Sequence, residues 1–338
     1  MKAPALIQRE RAYRPVEGNL KRTWRAEMNF LKMIYSKWTR QELLGWNSFR
    51  KTAYLILPLL IYFLVHDAVE ILLWAALDRI LAVAGVGLKD FLAGNADTVK
   101  GSINGLAILA GVAALWPALW REVAGDGRGA VKGGSCEKEM PQGRKTANMP
   151  ALVNHYVALA VLAVFSAFGL NLLFHVTGLI AKSSSYGAVS QAQYGVAFWA
   201  GLLLYGILSP FAEEAVFRGL IYNRMKRCFG VSLGMAVSAF LFGCYHGNMV
   251  QGIYGTLLGL VIAWVYEKYG SFAAPVLFHS LANISVYVFT YYGSLFKMGQ
   301  AAGIGAMAAF FTGALFCLQY IRKNVGSMEP SKSIAGRQ

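Results

Sequence analysis

The sequence is poor in charge. Only 14% of its 338 residues are Asp, Glu, Lys or Arg, against 56% hydrophobic. Soluble domains carry about a quarter charged residues, so this chain has too few charges to cover a water-facing surface of its size. The mean hydropathy of +0.44 agrees. Acidic residues are the scarcest charge, 17 against 32 basic, which leaves a net charge of +15. Cysteine is sparse as well. Cys136, Cys228, Cys244 and Cys317 show no CxxC spacing, so neither a disulfide framework nor a Cys-based zinc site is expected. Residues 1–52 are polar and basic with no apolar h-region, so no cleavable signal peptide is expected. HExxH, GxSxG, GxGD and a Walker-type phosphate loop are all missing, which removes the zincin, serine-hydrolase and P-loop readings.

What the chain does have is long apolar runs, beginning at Ala53. A bilayer core needs about 20 apolar residues per helix. Candidate spans fall at 53–76, 103–120, 150–174, 194–223, 231–247, 249–266, 272–292 and 301–321. The expected fold is therefore all-α, a polytopic membrane bundle of about eight transmembrane helices. Gly252, Gly255 and Gly259 suit close helix packing in lipid. The glycine-rich stretch 121–149 is expected to be a loop. The chain divides into a basic arm (1–52), N-terminal spans (53–190), a core carrying the candidate chemistry (191–295), and a last span with its tail (296–338).

In the arm, Phe30, Met33, Ile34 and Trp38 recur at helical spacing with Lys32, Lys37 and Arg40 between them. That pattern predicts an amphipathic helix on an anionic membrane surface. Charge also orients the bundle, because Lys and Arg flanking the spans favour the cytoplasm. With an internal N-terminus and eight spans, 27 of the 32 basic residues fall on the inner side. Both termini are expected in the cytoplasm of a cell-membrane protein. The basic excess is then a topology signal with membrane lipids as neighbours, and no nucleic-acid partner is inferred.

Ionisable groups within lipid are costly and mark functional candidates. Glu213 and Glu214 lie side by side in a span, and Glu214 and Arg218 are placed i and i+4 for an ion pair on one helix face. Phe242 precedes His246 by four residues, as His279 precedes Asn283. Counting from the basic turn at 224–230, Glu213 and His246 both lie about 20 Å deep at 1.5 Å per residue. Three helices thus deliver a carboxylate, two imidazoles and an amide to one depth. A desolvated carboxylate whose neighbour is neutralised by arginine can act as general base toward water. A facing histidine can hold the same water, and a His/Asn pair can donate to an oxyanion. Alternatively, Glu213, His246 and His279 can ligate Zn2+ with one position open for water. Both routes end in hydrolysis of an amide bond.

EExxxR at 213–218, FxxxH at 242–246 and HxxxN at 279–283 resemble, in order, the pattern of the CAAX-processing and bacteriocin-processing (CPBP or Abi) membrane proteases. That family includes the Ras-converting CAAX endopeptidase. The resemblance covers roughly 195–290. It implies an intramembrane endopeptidase of glutamate or metallo type acting on a membrane-proximal peptide or protein. By it, Glu213 and His246 activate water, Glu214 and Arg218 form a supporting pair, and His279 with Asn283 stabilises the oxyanion. Two rival readings use the same polar residues: a non-enzymatic immunity or scaffold protein that binds peptides, and a proton-coupled transporter.

Overall fold

A computed structural model describes residues 30–124, 149–293 and 298–326 of the chain. The architecture is all-α. A short capped helix, α1 (Arg40–Leu44), precedes α2 (Ser48–Val83), α3 (Val86–Gly94), α4 (Ala96–Ala124), α5 (Met149–Val176) and α6 (Ser184–Gly195). A long interrupted helix, α7 (Phe198–Phe229), is followed by α8 (Val231–Tyr245), α9 (Met249–Tyr269), α10 (Ala273–Tyr291) and α11 (Gln300–Asn324). Among the described residues, seven of these are long and apolar enough to cross a membrane. That number of candidate crossings is the pattern of a multi-pass membrane protein.

Two differences from the expected spans matter. The first span extends to 36 residues, about 54 Å of helix against a hydrocarbon core of about 30 Å, so α2 runs well past the expected end at 76. By contrast, α8 has 15 residues, about 22 Å, and stops short of a full crossing. Gly230 at φ 93° and Gly247 at φ 68° bracket it. Both turns use backbone that residues with a Cβ rarely adopt.

The helices share out two apolar cores. Leu115, Val216, Leu220 and Phe242 centre one among α2, α4, α7 and α8, and Leu162, Leu258, Ile262 and Phe278 centre the other among α5, α9, α10 and α11. Burial of a side chain of this kind contributes roughly 1.5–3 kcal/mol. At Gly243 a Cβ would collide with Thr256 and the Gly252 carbonyl, so α8 and α9 lie in near-backbone contact. Gly255 and Gly259 face the same seam, as small residues do where helices close in lipid.

One end of the bundle gathers the basic segments. Arg224 donates to the Tyr54 carbonyl and Arg227 pairs with Glu122 at 2.7 Å. Lys226 pairs with Glu267, and Tyr269 donates to the His155 carbonyl beside Tyr320. The starts of α2 and α5 and the ends of α4, α7, α9 and α11 therefore meet there. This grouping is the one the charge pattern predicts.

Part of the arm packs on protein. Met33 and Ile34 are buried at 6% and 1% exposure, packed with Leu43 and Tyr54 against the bundle's basic end. Arg224 donates to the Ile34 carbonyl, and Arg121 to that of Tyr35. Of the apolar face expected on lipid, Met33 and Ile34 are covered by protein while Phe30 stays 48% exposed, because Arg224 and Arg121 at the ends of α7 and α4 hold the Ile34 and Tyr35 carbonyls. Residues 1–29 of the arm, most of the 121–149 loop with Cys136, and the tail from 327 lie outside the described residues.

Candidate active site

The geometry begins with α7. Its α-helical turns Ser209–Glu214 sit between two π-helical stretches, Leu204–Leu208 and Ala215–Tyr222. Pro210 lies at the start of the central piece, where its missing N–H takes a donor away from the preceding turn. A π turn is rare, tends to occur at functional sites, and shifts the hydrogen-bond register so that carbonyls lose their usual partners. Two asparagines take up such carbonyls. Asn283 of α10 donates to that of Tyr205, at 3.1 Å, and Asn223 donates to that of Gly219, also at 3.1 Å.

Glu213 and Glu214 leave this piece in different directions. Glu214 and Arg218 are both fully buried, and Nη1 meets Oε1 at 2.8 Å, the pair that the i,i+4 spacing predicts. Nη2 of Arg218 donates to the Gly259 carbonyl at 3.0 Å, and the guanidinium lies 4.5 Å over the Phe242 ring. The same Oε1 of Glu214 accepts from His279 Nδ1 at 2.8 Å. Glu213 instead accepts from Ser209 Oγ at 3.0 Å and places Oε2 3.5 Å from His279 Nε2.

The protons follow from these partners. A carboxylate paired with arginine can only accept, so His279 Nδ1 carries hydrogen and Nε2 is the atom left facing Glu213. At 3.5 Å this contact is too long for a good hydrogen bond. The two carboxylates and one guanidinium leave one negative charge that Arg218 does not offset, and Nε2 of His279 faces it. His246 forms the C-terminal cap of α8, and its Nδ1 meets the Phe242 carbonyl at 2.9 Å. That carbonyl can only accept, so the lone pair of a neutral His246 lies on Nε2.

These groups converge on one cavity of about 530 Å³, lined by Glu213, His246, His279 and Asn283, with Ser209 and Tyr205 beside them. Glu214 and Arg218 stand behind this wall, while α6 closes the cavity at the end opposite the basic one, through Tyr186, Gln193 and Tyr194. Sequence reasoning missed Ser209, the Gly259 carbonyl and the hub position of Phe242, whose ring touches Arg218, His246 and His279. The FxxxH spacing was the available signal for Phe242. The contacts of His279 are to the two carboxylates, and Asn283 reaches Tyr205 across the helix interface.

For a metal the test is separation. Among the described residues, the one group of three that brings its ligand atoms within 4.8 Å of each other is His66, Asp67 and Glu70. Glu213, His246 and His279 are more widely spaced, so this geometry does not fit a three-ligand zinc centre. The His66 group is the polar face of α2, with Asp67 65% exposed and His66 Nε2 bonded to Asn104 at 3.1 Å.

Fold and cavity together define a multi-pass membrane protein with a carboxylate and imidazole site set inside the bundle. Comparison with known families makes this specific. Residues 195–285 match the family model described as "Type II CAAX prenyl endopeptidase Rce1-like", a match that assigns this region to the CPBP (CAAX-processing) protease family. Neither the curated proteins nor the solved structures gave a match.

Proposed function

We propose that the protein is an intramembrane endopeptidase of glutamate type in which Glu213 activates a water for attack on a peptide carbonyl. The observation that carries this reading is the fixed orientation of His279. Its Nδ1 is held by the Arg218-paired Glu214, which directs Nε2 at Glu213 on the cavity wall.

The chemistry follows from the donors and acceptors. Water in the cavity donates one hydrogen to Glu213 and the other to Nε2 of His246. As its oxygen bonds to the carbonyl carbon, Glu213 takes the first proton. The carbonyl oxygen gains charge and is met by the second N–H of Asn283, whose first is committed to Tyr205, and by Nε2–H of a protonated His279. Collapse of the intermediate breaks the C–N bond, and the proton on Glu213 passes to the leaving amine. Glu214 and Arg218 act through His279.

Glu213→Gln keeps the shape and removes the base. Its cleavage of candidate peptides, followed by mass spectrometry, is expected to fall by roughly 10²–10⁴-fold while membrane insertion is unchanged. Full activity in that variant would overturn the assignment. A peptide-binding scaffold would yield no product from the wild type, and a transporter would show uptake that depends on a pH gradient.

A further inference from the structure

The cavity lies on one side of the bundle's midplane. Its lining comes from the N-terminal half of α7, the last turn of α8, the first turns of α9 and the C-terminal half of α10, all of which face away from the basic end. Between that end and the cavity lie Phe217, Leu220, Ile221 and Tyr222, each at most 2% exposed, together with the Arg224 and Glu122 cluster. On the opposite side stands α6, pinned where the amide of Ala197 donates to Thr98 Oγ1 at 3.0 Å and Gly195 abuts Asp97. The segments of that far end hold only 5 of the 32 basic residues, with the acids Asp78, Asp90 and Asp97 among them. Positive charge marks the cytoplasmic side, so the far end is the non-cytoplasmic one. Among the described residues that line the cavity, none is Lys or Arg. A free α-carboxylate would find no permanently charged partner among them, which favours the interior of a chain over its end.

We infer that the substrate is an extended peptide segment presented on the non-cytoplasmic face of the membrane, entering past α6 between Tyr186 and Tyr194 and cleaved at an internal bond. This rests on the protease reading for the reaction but not for the route.

The route is tested without activity. In the full chain with its four native cysteines replaced by serine, single cysteines are placed at Gln193 on the cavity wall, Ser185 on the outer surface of α6, and Gln41 at the basic end. Intact cells are treated with a membrane-impermeant maleimide before and after permeabilisation. Gln193→Cys and Ser185→Cys are expected to label in intact cells, and Gln41→Cys only after permeabilisation. The reverse pattern would overturn the inference. So would labelling of Ser185→Cys with Gln193→Cys protected throughout, since the cavity would then be closed to that side. If the cysteine-free chain does not fold, a tag at the C-terminus of the wild-type chain serves instead. Added protease should remove it from inverted vesicles and spare it in intact cells, and removal from intact cells would refute the orientation. Loss of cleavage by Glu213→Gln without the labelling pattern would overturn the route alone, and the pattern without cleavage would overturn the reaction alone.

Discussion

Arg218→Met leaves the Glu214 carboxylate buried with one partner fewer. Both side chains are fully buried and their charged atoms are 2.8 Å apart. At an effective dielectric constant of 20, two unit charges at that spacing attract by about 6 kcal/mol. Desolvation of two ions offsets much of this, yet removing one partner of such a pair still costs about 3–5 kcal/mol. Cost falls at the lower part of that range here, because His279 Nδ1 donates to the same oxygen and can supply a compensating charge. Glu214→Leu combined with Arg218→Met should recover most of the loss, since an apolar pair of similar volume is often neutral or stabilising. Activity should not recover, because the acceptor that orients His279 is gone. Thermal unfolding of the purified protein in detergent separates the two effects. At about 2 °C per kcal/mol, the single variant should unfold roughly 6–8 °C below wild type, with the double variant close to wild type and inactive. A single variant that unfolds with the wild type would refute the buried-pair reasoning, and a double variant that cleaves normally would refute the positioning role of Glu214.

Other consequences are simpler to check. Gly243→Val should prevent α8 and α9 from closing, because its side chain would meet Thr256 and the Gly252 carbonyl, whereas Gly252→Ala meets its nearest neighbour at 3.5 Å; the monodisperse fraction after size-exclusion chromatography should collapse for the first and hold for the second. If Asn283 meets the oxyanion as proposed, Asn283→Ala should lower kcat by about 10²–10³-fold with little change in KM. At the basic end, Glu42 accepts from the backbone N–H and the hydroxyl of Thr39, and those bonds hold its carboxyl below the usual glutamate value. A lowered carboxylate stabilises the folded form at pH above its ordinary range and loses that contribution as pH falls through the folded value. Acidification below about pH 4.3 should therefore loosen α1. The fluorescence of the Trp38 and Trp46 pair, 5.1 Å apart, should report it, and Glu42→Gln should make that signal insensitive to pH over this range.

Much of the fold was legible because apolar run length and helix length obey the same arithmetic. All eight expected spans have a helix in the expected order, and the meeting of Glu213, His246 and His279 on one cavity follows from counting residues from the basic turn. What was not legible has physical reasons. Met33 and Ile34 are equally apolar whether they face lipid or protein, and only the cations at the ends of α4 and α7 decide between the two. The π turns of α7 carry no composition of their own, so the register shift that brings the Tyr205 carbonyl to Asn283 was hidden. Helix α6 is too polar and too short to register as a span, although it forms the cavity's outer wall. The i,i+4 spacing of His279 and Asn283 suggested a joined pair, but their partners lie on α7 and are set by tertiary packing.

Hydrolysis within a membrane needs water at the scissile bond and none leaking through the bilayer. The 15 residues of α8 reconcile the two. Because the helix ends at His246, a pool of solvent can stand above its last turn and reach Glu213 while the other half of the bundle, closed by Phe217, Leu220 and Tyr222, remains a dry plug. The permeability barrier is thereby compressed into about 20 Å of protein, across which most of any membrane potential would drop. On the proposed reading Glu213 stands at the solvent-side edge of that drop, so a peptide that reaches it from the open side crosses little of the membrane potential.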